Sequence, residues 1–397
     1  MDFTRHVGTL LPDDLQDAVV VARLGVPGER GARVTTIRDG RFIDVSRYGS
    51  TVSDLLERPD VLDLLRECEG GASWSVPEVV EATLTDALSA PRLLSPIDLQ
   101  VVKAAGVTFA RSMIERVIEE RAAGDATRAL EIRRRIEGVI GRAIGSVRPG
   151  SAEAAEVKRL LIADGLWSQY LEVGIGPDPE IFTKAPVLST TGTASPVGVL
   201  SRSTWNNPEP EVVLIVNSTG RPVGATLGND VNLRDFEGRS ALLLGEAKDN
   251  NGSCAVGPVI RLFDGSFGLD DVRRTEIALH VEGEDGFVLD DGSSMSEMSR
   301  TLEELLEHTI GAHHQYPDGL VLFTGTLFAP TQDRDESGMG FTHKPGDIVR
   351  ISSPRLGTLV NQVMASEDCP PWTTGIRELA ADLAERGLLA RQPTVAR

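Results

Sequence analysis

The sequence predicts a mainly β fold with helices, in which a sandwich or barrel-like β body follows a smaller α+β segment. From about residue 165 to 363, short apolar runs alternate with Gly, Pro and Asn-Asp turns, as is typical of all-β architectures. Ahead of this body, apolar residues at three- and four-residue spacing predict helix over 112–140, with a break at Gly124-Asp125. We expect a domain boundary near residue 95, which gives a small N-terminal α+β domain over 1–95 and a larger domain over 96–392.

Both ends of the chain carry clear local signals. In the N-terminal segment, the alternating runs 34–37 and 41–45 flank Asp39-Gly40, a dipeptide that favours a tight β-hairpin. Near the other end, the apolar spacing over 376–383 predicts an amphipathic helix.

Composition excludes several classes of function. The 59 acidic residues against 40 Lys and Arg give a formal net charge of −19, which argues against binding to nucleic acid or to an anionic membrane. The longest aliphatic runs are far shorter than a membrane span, and the N-terminus lacks a basic region followed by an apolar one. The three cysteines are widely separated, so neither a disulfide framework nor a zinc site is expected. We therefore expect a cytoplasmic protein.

A pair of glutamates on one predicted strand indicates a metal site. Glu209 and Glu211 are two residues apart, so an extended strand presents both carboxylates on the same face. A hairpin centred on Thr219-Gly220 places Asp230 opposite Glu209. Three hard oxygen ligands favour Mg²⁺, or Mn²⁺, over Zn²⁺. The alternative is a solvated strand face, on which paired glutamates are common.

A series of further motifs resembles the fumarylacetoacetate hydrolase superfamily. In chain order the motifs are Glu209-Pro210-Glu211, Gly228-Asn229-Asp230-Val231, Arg234-Asp235, Lys248 ahead of Gly257-Pro258, Thr324-Gly325-Thr326 and Gly346-Asp347-Ile348-Val349. The resemblance implies a fumarylacetoacetate hydrolase-like β-sandwich or β-roll C-terminal domain. Within the superfamily, the chain looks closest to the bacterial dehydratases of 2-keto-3-deoxypentonates of the arabinonate and xylonate type.

The resemblance also implies a reaction and its partners. The expected function is a Mg²⁺-dependent hydro-lyase that converts a 2-keto-3-deoxypentonate, a small 2-keto acid, into 2-oxoglutarate semialdehyde in pentose catabolism. A homodimer or homotetramer is expected. One alternative is hydrolysis of a C–C bond in an acylpyruvate or fumarylacetoacetate-type substrate, and a second is a non-catalytic protein that binds a ketoacid or metal. Ser112 stands where many hydrolases of the family carry a water-activating histidine, which favours the lyase.

Elimination of water needs a base for the C3 proton and an acid for the departing hydroxide. Glu115 and Lys248 are the candidates, with the assignment between them open and with a lowered pKa expected for Lys248 near a cation. Ser112 is a further candidate for the catalytic site because of its position in the motif. Thr326 resembles the family's contact to the substrate carboxylate. Arg111 and Arg234 are additional candidates for substrate binding, although Arg234 could instead form an ion pair with Asp235. The configuration of the substrate at C4 stays open.

Overall fold

The fold is known from a computed structural model that describes residues 2–133, 147–328, 330–335 and 340–389, apart from the side chain of Arg111. The strands are β1 (Val20–Gly25), β2 (Ala32–Arg38), β3 (Arg41–Asp44), β4 (Ser73–Ser75), β5 (Arg92–Leu93), β6 (Val101–Gly106), β7 (Glu180–Ala185), β8 (Ser195–Val199), β9 (Asn206–Asn207), β10 (Pro210–Val216), β11 (Pro222–Asp230), β12 (Asn232–Leu233), β13 (Cys254–Leu262), β14 (Glu276–Glu282), β15 (Val288–Ser294), β16 (Leu320–Phe323), β17 (Ile348–Ser353) and β18 (Gly357–Ala365).

Short helices connect and cover these strands. They are α1 (Val52–Leu56), α2 (Val61–Glu67), α3 (Val76–Leu84), α4 (Ala110–Ala122), α5 (Ala152–Ala163), α6 (Gln169–Ile175), α7 (Arg234–Glu237), α8 (Leu244–Lys248), α9 (Leu269–Val272), α10 (Leu302–Thr309) and α11 (Ile376–Glu385). Residues 126–133 are also helical. Within the described part of the chain, no helix has the length and apolar character that crossing a membrane requires.

Two sheets dominate the described residues. The larger has eleven strands in the order β4-β3-β2-β1-β13-β11-β10-β16-β6-β7, with β5 paired to β1. The second has five strands in the order β15-β14-β17-β18-β8, and a short ribbon joins β12 to β9. The mainly β fold with helices is therefore confirmed.

Strand β10 is buried on both of its faces because the large sheet is covered on each side. Val212 and Leu214 point into the cluster between the two sheets, which also contains Leu279 of β14. Val213 alternates to the opposite face and packs in a second cluster with Leu55 of α1. All residues of β10 are buried, so its orientation and register are strongly constrained.

The N-terminal segment contributes directly to the large sheet. Strand β1 pairs antiparallel with β13, and the predicted hairpin is present, since Arg38 pairs with Arg41 across Asp39-Gly40. Both turn residues have positive φ, as a tight two-residue turn requires. The division into residues 1–95 and 96–392 stays a prediction.

The predicted helices also form where they are described. The break at Gly124-Asp125 separates α4 from the helix over 126–133, and Gly124 has a φ of 72°. The rest of the predicted stretch, 134–140, lies outside the described residues. The C-terminal amphipathic helix is α11.

Replacing Gly228 of β11 by Ala should destabilise the large sheet. A Cβ added at Gly228 would lie 2.3 Å from Cε1 of Phe323 and 2.6 Å from Cγ2 of Val213. The ring of Phe323 and the side chain of Val213 are both buried in the core, so neither can move aside easily. We expect a loss of about 1–3 kcal/mol in the free energy of unfolding, measured by chemical denaturation. Gly265→Ala is the matched control, because its Cβ would meet no atom within 4 Å. Equal stabilities of the two variants would contradict the packing described for β10 and β11.

Candidate active site

Three buried carboxylates converge at the end of the β10–β11 hairpin. Pro210 pairs with Asn229, which places Glu209 opposite Asp230, and the Asp230 amide donates a 3.0 Å hydrogen bond to the Glu209 carbonyl. One oxygen from each of Glu209, Glu211 and Asp230 lies within 4.8 Å of the others. The predicted convergence is confirmed. The alternative of a solvated strand face is wrong, since all three side chains are buried.

Glu211 is the acid of the triad whose ionised form is most destabilised by its surroundings. Its Oε2 accepts a 2.7 Å hydrogen bond from the Gly325 amide, whereas its Oε1 is buried without a hydrogen-bond partner among the described residues. Burial raises the pKa of Glu211 well above its usual range, and the charges of Asp230 and Glu209 raise it further. An oxygen donor that is buried, unpartnered and repelled by its neighbours fits a bound cation.

The donor set of these acids also indicates the type of cation. All three groups offer hard carboxylate oxygens, and the described part of the chain brings no His or Cys ligand into the cluster. Such a set suits Mg²⁺ or Mn²⁺. The residues that are present therefore fit the metal that the sequence predicts.

Two buried lysines balance the charge of the carboxylates. The Nζ of Lys248 donates to Glu209 and, at 3.1 Å, to Oδ2 of Asp230. The Nζ of Lys184 lies 2.8 Å from Oδ1 of Asp230 and donates at 3.2 Å to the carbonyl of Val231. Asp230 is thus held between two ammonium groups, and its pKa is lowered because these cations outweigh the effect of burial.

The carboxylates in contact with Lys248 raise its pKa. Burial disfavours the charged ammonium, but Asp230 and Glu209 outweigh it. Lys248 is therefore a charged hydrogen-bond donor. The lowering of this pKa that is expected beside a bound cation stays a prediction.

Helix α4 adds a network of buried arginines and glutamates behind the triad. The guanidinium of Arg116 contacts Glu209, donates to Glu119 at 2.7 Å and lies 3.2 Å from Glu237. Arg234 continues the network with a 2.6 Å bond to Glu119. Burial raises the pKa of Glu237 to about 7, against the opposing charge of Arg116.

Glu115 lies within this network and is held by two arginines. Arg133 donates to its carboxylate at 2.6 and 3.2 Å, and Arg234 donates at 3.1 Å. The predicted alternative, an ion pair between Arg234 and Asp235, is wrong, because Arg234 pairs with Glu115 and Glu119. Asp235 instead accepts a 2.8 Å hydrogen bond from Ser203. A carboxylate clamped by guanidinium groups has little lone-pair capacity left for taking a proton from carbon.

The remaining predicted residues make local contacts. The Ser112 hydroxyl donates to the Phe109 carbonyl at 2.9 Å, at the start of α4. The Thr326 hydroxyl donates to the Phe328 carbonyl at 2.9 Å. The side chain of Arg111 lies outside the described residues. The catalytic and substrate-binding roles of all these residues stay predictions.

Sequence reasoning missed Lys184, Arg116 and Glu180. Glu180 is the first residue of β7 and pairs with Gly106 of β6. Its carboxylate lies against this glycine, since a Cβ added at Gly106 would be 2.0 Å from Oε2 of Glu180. Burial raises the pKa of Glu180, the charges of Arg116 and Lys248 oppose this effect, and those of Glu209 and Asp230 add to it. No spacing in the sequence connects these three residues to the Glu209 strand. Lys184 and Arg116 are buried and Glu180 is half-buried, which the structure shows and the sequence does not.

Comparison with known proteins places part of this site in a family. Residues 171–364 match the family profile described as "Fumarylacetoacetate (FAA) hydrolase C-terminal". This segment is a fumarylacetoacetate hydrolase C-terminal domain. It contains all three acids of the triad together with Lys184 and Lys248, whereas Arg116 and Glu115 come from outside it.

Two curated relatives align with about half of the chain. A "Probable 2-keto-3-deoxyxylonate dehydratase" of Haloferax volcanii is 32% identical over 194 residues, which cover 49% of this chain and 63% of the relative. A "2-dehydro-3-deoxy-D-arabinonate dehydratase" of Saccharolobus solfataricus is 34% identical over 185 residues, which cover 47% and 58%. The chain thus spans about three fifths of the length of these relatives.

A solved structure resembles the fold over a longer range. "2-keto-3-deoxy-D-arabinonate dehydratase complexed with magnesium and 2,5-dioxopentanoate" aligns with a TM-score of 0.60 at 23% identity, covering 87% of this chain and 99% of that chain. A likeness at this identity establishes the fold alone. The predicted fumarylacetoacetate hydrolase-like fold is confirmed.

Glu211→Gln should abolish stabilisation of the protein by Mg²⁺. Saturating Mg²⁺ should raise the Tm of the unaltered protein by roughly 5 °C relative to EDTA, since binding to the native state stabilises it. The variant should be at least as stable as the unaltered protein in EDTA, because a repelled buried charge is removed, and should show no Mg²⁺ shift. Glu276→Gln, at an exposed position, is the control and should keep the shift. A full shift in Glu211→Gln would remove Glu211 from the metal site.

Proposed function

We propose that this protein is a Mg²⁺-dependent dehydratase that converts a 2-keto-3-deoxypentonate into 2-oxoglutarate semialdehyde. The observation that carries the proposal is the buried triad of Glu209, Glu211 and Asp230, which offers a hard cation an oxygen that has no hydrogen-bond partner among the described residues. The names of both curated relatives support this substrate class. The similar solved structure contains 2,5-dioxopentanoate, which is another name for 2-oxoglutarate semialdehyde.

The substrate would bind through its 2-keto acid end. Mg²⁺, when held by Glu209, Glu211 and Asp230, supplies a Lewis acid for the negative charge that develops on the 2-oxygen. The Gly325 amide fixes the orientation of Glu211 by its 2.7 Å hydrogen bond. Lys184 holds Asp230 in place from the opposite side. Preorganisation of this kind avoids reorganising the site during the reaction.

We propose Glu180 as the base for the C3 proton. Its pKa is raised by burial, which outweighs the charges of Arg116 and Lys248, and this makes it a stronger base than an ordinary glutamate. Glu115 is less suited because two arginines occupy its oxygens. Lys248 stays charged and can donate a proton from Nζ to the departing C4 hydroxide. Loss of a C5 proton and reprotonation at C3 then give the enol of the terminal aldehyde.

We also propose a cytoplasmic homo-oligomer, a dimer or a tetramer. This proposal is supported by the family resemblance and by the anionic metabolite that the enzyme would use. Size-exclusion chromatography with light scattering would measure the oligomeric state.

The purified protein with Mg²⁺ should release 2-oxoglutarate semialdehyde from a 2-keto-3-deoxypentonate. Both C4 epimers should be assayed, because the chelating end is the same in each. Glu211→Gln should lose this activity and remain folded. Release of pyruvate from an acylpyruvate, with no semialdehyde from either epimer, would instead establish the C–C hydrolase. Absence of both reactions, with Mg²⁺ binding retained, would indicate a non-catalytic binding protein.

Glu180→Gln should lower kcat by about 10²–10⁴-fold, since a positioned base contributes by that amount. The stabilisation by Mg²⁺ should be retained, because Glu180 is outside the triad. Glu115→Gln is the comparison, and it should change kcat much less. If steady-state assays instead show a larger loss of kcat for Glu115→Gln than for Glu180→Gln, the base is Glu115.

A further inference from the structure

A ribbon of asparagines continues the β10–β11 hairpin beyond the carboxylate triad. Asn207 of β9 pairs with Asn232 of β12, and Pro210 pairs with Asn229, so no residue is inserted between the two paired regions. Side chains two residues apart on paired strands point to the same face, about 7 Å apart. Asn207 and Asn232 therefore follow Glu209 and Asp230 on the face that carries the triad.

The carboxamides of this pair have unused hydrogen-bonding capacity. Both side chains are fully buried. Within the described part of the chain, neither Oδ1 nor Nδ2 of Asn232 has a hydrogen-bond partner, and Oδ1 of Asn207 also lacks one. Nδ2 of Asn207 donates to the Pro208 carbonyl at 2.7 Å. Buried amides without partners are costly, so native proteins usually satisfy them with water or a ligand.

We propose that Asn207 and Asn232 form a subsite that binds the terminal hydroxyl of the 2-keto acid substrate. This inference rests on the proposed function, because the keto acid end must be held at the triad. From its 2-oxo carbon to its terminal hydroxyl, an extended five-carbon chain spans about 5 Å, given C–C bonds of about 1.5 Å. With a hydrogen bond of about 3 Å beyond the hydroxyl, the reach is about 8 Å, which is enough for the step of about 7 Å from the triad to the asparagine pair.

A hydroxyl suits the two carboxamides better than other chain ends do. It donates to an amide oxygen and accepts from an amide nitrogen, so Asn232 can be satisfied on both atoms. An alkyl end would leave the amides unpaired. Sites with buried polar groups discriminate strongly against ligands that lack the matching group. The asparagine pair thus selects for hydroxylated substrates.

Two inert ligands that differ by one hydroxyl can test the subsite. Neither 5-hydroxy-2-oxopentanoate nor 2-oxopentanoate has a C4 hydroxyl to eliminate, so calorimetric titration in Mg²⁺ measures binding alone. The unaltered protein should bind the hydroxylated ligand about tenfold more tightly, as expected for one or two hydrogen bonds. Asn232→Leu, with Asn232→Ala as a smaller second variant, should bind both ligands equally and keep its affinity for 2-oxopentanoate.

Thr226→Val is the matched control. Thr226 is a buried residue of β11 whose hydroxyl is also unpartnered among the described residues, and it lies on the triad face at the other side of Glu211. This variant should keep the tenfold preference.

A preference that persists in both Asn232 variants, or that is absent from the unaltered protein, overturns the subsite even if dehydratase activity is found. If the Asn232 variants lose the preference for the hydroxylated ligand and the unaltered protein shows no dehydratase activity, the result supports the subsite and overturns the dehydratase. Binding of neither ligand also overturns the subsite, whereas the dehydratase is decided by the assay of semialdehyde release.

Discussion

Burial of three carboxylates at one point is the constraint on which the rest of the site depends. Glu209, Glu211 and Asp230 have almost no contact with solvent, so their repulsion must be offset within the protein. Lys248 and Lys184 contact two of these acids, and Arg116 contacts Glu209 from α4. Among the described residues, Glu211 accepts a hydrogen bond from a backbone amide alone, and its raised pKa marks it as the acid that most needs a cation.

The sheet holds these acids in place through the register of β10. Both faces of the strand are packed, with Val212 in one cluster and Val213 in the other. A slip by one residue would move the apolar side chains and the two glutamates to the wrong faces. The apolar core therefore fixes the position of the polar site. The same register extends to Asn207 and Asn232, so one hairpin positions both the metal ligands and the proposed hydroxyl subsite.

Local patterns made the triad predictable from the sequence. Alternation along the strand and a turn at Thr219-Gly220 were enough to align Glu209 with Asp230. The mainly β fold followed from the density of strands and turns. Lys184, Arg116 and Glu180 were not predictable, because they reach the site from strand β7 and helix α4, which are distant in sequence from β10. The contacts of Lys248 with Glu209 and Asp230, which raise its pKa, depend on the same tertiary packing.

The charge of the whole chain and the charge of the site have opposite consequences for an anionic substrate. The formal charge of −19 repels anions at long range, but salt screens exposed charges over about 10 Å. At the triad, three carboxylates face the two ammonium groups of Lys184 and Lys248, which leaves one formal negative charge, while the Arg116 guanidinium that contacts Glu209 is itself paired with Glu119. A divalent cation held there would change this to one positive charge. That charge would match the single carboxylate of the proposed 2-keto acid substrate, so the metal-loaded site would attract it locally within an acidic protein.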